Sequence, residues 1–196
     1  ESAGSTVGSL SGGANGTLEG TLILTNAEDT YSGGMEGNGN LIISGGTEIL
    51  TGANTYSGTT TINNGAILQV DGTGSTGTGD TTANGTLSGT GTVGGNATIA
   101  SGGTLSAGDG ANGIGTLTVV GNLTLADGST QNFQIGQANT AGGQYNDLVS
   151  VGGDLTRGGT LNVATTAGGP DVQDTALKVG VYRLYNYGGA LSGSQT

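Results

Sequence analysis

Apolar and polar residues alternate along this chain in short runs, each closed by glycine, asparagine or another turn residue. A period of two is the signature of a half-buried strand. In Gly20-Thr21-Leu22-Ile23-Leu24 the alternation places Leu22 and Leu24 on one face, and in Ala66-Ile67-Leu68-Gln69-Val70 it does the same for Ala66, Leu68 and Val70. Ala97-Thr98-Ile99, Thr116-Leu117-Thr118-Val119, Asn122-Leu123-Thr124-Leu125 and Thr160-Leu161-Asn162-Val163 continue the pattern, mostly with Thr on the opposite face. No window carries a 3.6-residue period, so the predicted class is all-β.

Strands this short cannot bury their own apolar side chains and must stack on neighbours. Leu87, Leu105 and Leu123 recur at 18-residue intervals, each in a Thr/Asn-Leu-Ser/Thr context. A coil of roughly 18–20 residues accommodates three short strands and three bends, which predicts a parallel β-helix rather than a sandwich. Ten coils stacked at about 4.8 Å would form a rod about 50 Å long. Gly12-Gly13, Gly45-Gly46, Asn64-Gly65, Gly94-Gly95 and Gly102-Gly103 are the predicted corners, because bends need residues that tolerate positive φ.

The pattern shifts near residue 126. Four of the six Tyr (Tyr145, Tyr182, Tyr185, Tyr187) and the single Phe133 and Pro170 lie beyond it, and looser segments at 136–146 and 164–174 interrupt the ladder. Leu177 to Leu184 reads as a longer strand whose face changes near Gly180. The expected organisation is therefore β-helix repeats over 1–125 and a capping region over 126–196, which would shield the unpaired edges of the last coil.

Composition removes the competing explanation of disorder. Charged residues are only 9% and there is one Pro, whereas disordered segments are rich in Pro, Lys and Glu. Gly, at 45 of 196 residues, fits a chain made mostly of strands and bends. The net charge of -11 comes from 14 acids and 3 bases, and the bases (Arg157, Lys178, Arg183) leave residues 1–156 without a cation. Nucleic acid and anionic membrane surfaces are therefore not expected partners. The chain has no Cys, so neither a disulfide nor a thiolate metal site is available. No apolar run is long enough to span a membrane and no signal peptide is visible, so any export signal is expected outside this sequence.

Residues Leu50-Thr51-Gly52-Ala53-Asn54-Thr55-Tyr56-Ser57-Gly58-Thr59-Thr60, followed by Ile62, Gly65, Leu68 and Val70, resemble the passenger-associated transport repeat of bacterial autotransporters. A second copy runs from Leu24 to Gly33, with Met35-Glu36 where the repeat has a Thr-rich strand. Residues 84–163 are similar to the segment such passengers carry before their membrane barrel, notably Gly85 to Val93, Gly102 to Gly108 and Tyr145 to Val151. Tyr182-Arg183-Leu184 followed by Gly193 resembles the end of that segment. The resemblance implies a right-handed parallel β-helix, export by type V secretion through periplasm and outer membrane, and a C-terminal part that helps the passenger fold. It also implies an outer-membrane β-barrel of the same precursor as partner.

Several motifs admit a chemical reading, and each reads better as structure. Gly72/Gly74/Gly77, Gly89/Gly91/Gly94 and Gly108/Gly110/Gly113 match Gly-x-Gly-x-x-Gly, but no following helix is visible for a dinucleotide. Gly79-Asp80 and Gly108-Asp109-Gly110 are isolated and do not make a calcium-binding repeat. Glu28-Asp29 are neighbours that point to opposite faces of a strand, and Asp171 and Asp174 sit in an expected loop without a basic partner, so no acid pair for glycoside cleavage is expected. With no His, a serine nucleophile lacks its base. The Asn-x-Ser/Thr strings at Asn15, Asn84, Asn96 and Asn122 read as turns. Asn54-Thr55-Tyr56 reads as a corner, with Asn54 bonding its own backbone and Tyr56 covering a coil edge; the functional alternative makes Tyr56 a surface contact. Thr59-Thr60-Thr61 and Thr116/Thr118 are not expected to recur in flat register, which argues against ice binding.

The expected function is that of a surface-displayed or secreted β-helical scaffold for adhesion or host-cell interaction, with no enzymatic activity, no cofactor and no assigned catalytic, metal or binding residue. Direct binding to a host receptor or self-association between copies is the alternative, and a carbohydrate-active β-helix enzyme the reading furthest from the residues.

Overall fold

The computed structural model describes residues 4–108, 113–173 and 176–195, and every regular element among them is a β-strand. Nine strands form the longest sheet: Ser5–Val7, Thr21–Leu24, Asn40–Ile43, Thr60–Ile62, Thr81–Ala83, Ala97–Ile99, Leu123–Leu125, Leu155–Arg157 and Leu191–Gly193. A second sheet of seven strands runs from Thr30–Tyr31 through Thr47–Leu50, Ile67–Val70, Thr86–Gly89, Thr104–Ala107 and Thr130–Ile135 to Thr160–Thr165. A third contains Thr92–Val93, Thr116–Val119, Leu148–Val151 and Tyr185–Tyr187. Within each of these sheets adjacent strands are parallel, and the chain visits the sheets in turn. That is a parallel β-helix. Eight steps of about 4.8 Å make the long sheet about 38 Å from end to end, shorter than the ten coils expected.

The core is built from columns of like residues. Leu24, Ile43, Ile62, Ala83, Ile99 and Leu125 stand in consecutive register on the inner face of the first sheet, all fully or almost fully buried. Leu68, Leu87 and Leu105 do the same in the second, and Val93, Val119 and Val151 in the third. Each buried Leu, Ile or Val contributes about 1.5–3 kcal/mol, and every added coil repeats the gain. The corners need glycine at a few places. Gly46 has φ +76°, and a Cβ there would lie 2.0 Å from the Ala27 carbonyl oxygen.

Leu123 does not continue the Leu87–Leu105 column. Leu105 is followed in register by Gln131, whereas Leu123 stands between Ala97 and Leu155 in the first sheet. The reason is variable coil length. Asp80 and Asn96, neighbours across coils, are 16 residues apart, Asn96 and Asn122 are 26 apart, and Asn122 and Asp154 are 32 apart. An 18-residue phase therefore slips from one sheet to the next.

The C-terminal part departs from expectation in three places. Leu177 to Leu184 is not one strand: Ala176–Leu177 pairs antiparallel with Val172–Gln173, and the parallel strand starts only at Tyr185. Val179 and Val181 are solvent-exposed, so the alternation there describes no buried face. Second, Asp171 has a basic partner. Lys178 Nζ lies 3.2 Å from its carboxylate and the Lys178 backbone N–H donates to the Asp171 carbonyl, which closes the turn. Asp174, Asp109 and Gly110 lie outside the described residues. Third, Thr160–Thr165 is the outermost strand of its sheet, so Leu161 is half-buried and Val163 exposed. Across residue 126 the first and second sheets both continue, the coils lengthen, and Phe133 packs edge-on against Tyr185 with ring centroids 5.0 Å apart.

Candidate functional site

Outward-facing positions of a parallel sheet inherit the register of the core, so any repeated outward residue becomes a straight row. In the first sheet Thr61, Thr82, Thr98, Thr124, Thr156 and Ser192 occupy successive register positions. The hydroxyls of Thr156 and Ser192 are 3.1 Å apart. This corrects the expectation that threonines fail to recur in register: Thr61 belongs to the row, while Thr60 points into the core. Toward the N-terminus the row continues as Ile42 and Ile23.

A second row flanks it at the corner. Thr59, Asp80, Asn96, Asn122 and Asp154 each immediately precede a strand of the first sheet. Asn40 Oδ1 accepts the Thr59 N–H (2.8 Å), Asn96 Oδ1 the Asn122 N–H (2.8 Å), Asn122 Oδ1 the Asp154 N–H (2.7 Å) and Asp154 Oδ1 the Ala190 N–H (2.6 Å). Asn96 Nδ2 donates to Asp80 at 2.9 Å. Asn40, Asn96, Asn122 and Asp154 thus each satisfy a backbone donor of the next coil where the ladder turns away. The strings Asn96-Ala97-Thr98 and Asn122-Leu123-Thr124 are one corner residue, one core residue and one outward hydroxyl.

The second sheet presents a polar groove. Thr47, Ile67, Thr86, Thr104, Thr130 and Thr160 form one outward column. Gln69, Ser88, Ser106, Asn132 and Asn162 form the next, in which Ser88 is buried, with Asn162 Nδ2 donating to Asn132 Oδ1 at 3.1 Å. A shallow depression of about 490 Å³ lies over the first strands of these columns. Another of about 410 Å³, lined by Asn132, Gln134, Asp147 and Asn162 among others, continues past Asn132. The Asp147 carboxylate is held by the backbone N–H groups of Gly115 (2.9 Å) and Gln134 (2.7 Å). These surfaces offer hydroxyl and amide groups with little charge, suited to neutral polar ligands.

The residues singled out in the sequence are placed differently from a reactive site. Tyr56 is fully buried, and its hydroxyl lies 2.6 Å from Thr60 Oγ1. It is a core residue, neither an edge cover nor a surface contact, and burial raises the pKa of its phenol. Asn54 does bond its local backbone, donating to the Gly52 carbonyl at 3.1 Å, but it also ties three coils together. Its Oδ1 accepts the Met35 N–H (2.7 Å) and its Nδ2 donates to the Ser75 carbonyl (2.6 Å). Gly72, Gly89 and Gly108 have positive φ, and no helix follows any of them among the described residues. Met35–Gly37 pairs in parallel with Gly16–Leu18. Glu28 is exposed and its N–H donates to Ser9 Oγ at 3.0 Å. Among the described residues no group of three or more Asp or Glu is placed to hold a metal ion. Asp171 is held below the usual carboxylate range by the Ala138 N–H and then by Lys178.

No family model matches the chain. It is similar to a bacterial adhesin. The relative is the adhesin BmaC autotransporter of Brucella suis biovar 1 (strain 1330), 45% identical over 169 residues. Those residues make up 85% of this chain but 5% of the relative, so the chain spans a small part of that protein's length. This similarity supports an origin in an autotransporter passenger and bears on the meaning of the exposed rows.

Proposed function

We propose that the chain is a segment of a surface-exposed autotransporter passenger, a non-enzymatic β-helical scaffold that presents rows of uncharged hydrogen-bonding groups for adhesion to a host-cell surface. The similarity to a protein named an adhesin autotransporter supports the class. The observation that carries the adhesive reading is the register of Thr61, Thr82, Thr98, Thr124 and Thr156, an ordered hydroxyl row of the kind that many weak hydrogen bonds can use together. The test is binding of the purified chain to host cells before and after the isosteric changes Thr82→Val, Thr98→Val and Thr124→Val, with Thr86→Val and Thr104→Val probing the second sheet. Binding unchanged by both sets, with circular dichroism unchanged, would contradict the proposal.

Residues 126–196 are proposed to assist folding of the passenger during export, next to an outer-membrane barrel of the same precursor. Support comes from the long coils there and from the Phe133–Tyr185 contact, which joins the second and third sheets. Refolding at equal rate and yield without residues 126–196 would remove that role. Self-association is a second reading, favoured by one observation: two copies carry rows of identical spacing, so their hydroxyls can meet in register. Sedimentation against concentration separates it from binding to a different surface.

A further inference from the structure

Glu48 is a buried carboxyl in the core. It occupies the inward column of the second sheet, in register with Leu68, which is followed by Leu87 and Leu105, and it is 0% exposed. Its Oε2 accepts the Leu10 N–H at 3.3 Å and the Ser9 hydroxyl at 3.4 Å, while Oε1 is buried with no hydrogen-bond partner among the described residues. Ser9 Oγ in turn accepts the Glu28 N–H, and Leu10 packs against the core. Gly8–Leu10 is therefore a strap laid across a buried carboxyl.

Among the described residues no Lys or Arg pairs with Glu48; the one ion pair there joins Lys178 to Asp171. The strap itself brings no titratable side chain, and Ile67–Val70 brings Leu68. The coil leading into Thr30–Tyr31 brings Glu28, which is exposed, and Asp29, whose negative charge opposes ionisation of Glu48. The Tyr31 hydroxyl is engaged with the Ala14 carbonyl at 2.7 Å. An ionised carboxylate here is costly, and opening the strap is the cheapest relief.

We propose that Glu48 operates Gly8–Leu10 as a pH-controlled latch: the protonated carboxyl keeps the strap closed over this part of the core, and ionisation releases it and admits water. Burial is the main cause that pushes the carboxyl up to about 7, with the bonds from Leu10 and Ser9 pulling it down and Asp29 adding to the rise. The closed form thus holds its proton more tightly than the open form. Closure is fully favoured below the ordinary Glu range near 4.5 and is lost as pH rises through about 7. Passage from acidic to neutral surroundings would open the strap over Glu48.

Hydrogen exchange on the whole chain at pH 5 and pH 8, corrected for intrinsic rates, tests this. Protection of the Leu10 and Glu28 amides is expected to fall about 10- to 100-fold at pH 8, with Leu87 and Leu105 unchanged, and Glu48→Gln is expected to abolish the difference. Equal protection at both pH values, or the same loss in Glu48→Gln, would overturn the latch. Direct titration of the Glu48 carboxyl by NMR in the unsubstituted chain decides the matter if Glu48→Gln does not fold. A midpoint near 7 supports the latch and one in the ordinary carboxylate range overturns it.

Discussion

The side-chain oxygen of Asn96 accepts the backbone N–H of Asn122 at 2.8 Å, although 26 residues separate them. Asn122 repeats the same bond to Asp154, so a corner row propagates beside the hydroxyl row two positions further along each strand. Asn122→Ala is expected to leave the Asp154 N–H without its acceptor and to cost about 1 kcal/mol, since this corner is exposed and water substitutes in part. Asn122→Asp keeps the acceptor and is expected to stay within about 0.5 kcal/mol. Urea midpoints at constant slope measure both.

Leu123 and Thr124 are neighbours with opposite fates. Leu123 is 0% exposed and Thr124 faces outward. Leu123→Asp buries an unpaired carboxylate and is expected to cost more than about 4 kcal/mol, enough to separate the coils on either side. Thr124→Asp is expected to cost less than about 1 kcal/mol. Similar melting shifts for the two would show the faces to be reversed.

Asn54 and Tyr56 test the buried polar contacts. Asn54→Ala removes bonds to Met35, Gly52 and Ser75 at once and is expected to destabilise by about 2–4 kcal/mol. Tyr56→Phe loses the hydroxyl's contacts with Thr60 and the Gly77 backbone and is expected to cost about 1–2 kcal/mol. The order of the two denaturation midpoints is the outcome to check.

Gly46 and Gly65 both have positive φ, +76° and +83°, but only Gly46 is crowded by backbone from the previous coil. Gly65→Ala carries the conformational cost alone, about 1 kcal/mol. Gly46→Ala adds a clash with Ala27 that backbone cannot yield to, and is expected to prevent that coil from closing. Thermal melting separates the two outcomes.

Strand positions and inner faces were legible because the alternation is strict: Leu68 and Val70, Ala97 and Ile99, and Leu117 and Val119 all point inward as read. The path of the coil was not, because register depends on loop lengths between sheets, which no local pattern encodes. That is why Leu123 pairs with Ala97 rather than following Leu105, and why the threonine row was missed. Glu48 was invisible for a different reason. In Thr47-Glu48-Ile49-Leu50 the apolar residues are adjacent and the alternation names no inward face; the structure turns Glu48 and Leu50 inward and leaves Ile49 half-exposed. Tyr56 was misplaced because a turn-like context hid a side chain that fills the core.

The register of the coils is the claim on which the exposed rows depend, and disulfide trapping tests it without background, since the chain has no Cys. Adjacent parallel strands bring paired Cα atoms to about 4.8 Å, within disulfide range. The pair Thr98→Cys with Thr124→Cys, in register across the first sheet, is predicted to oxidise readily to an intramolecular bond. The pair Ser106→Cys with Thr124→Cys, which an 18-residue phase would align, is predicted to remain reduced. Cross-linking of the second pair and not the first would contradict the account.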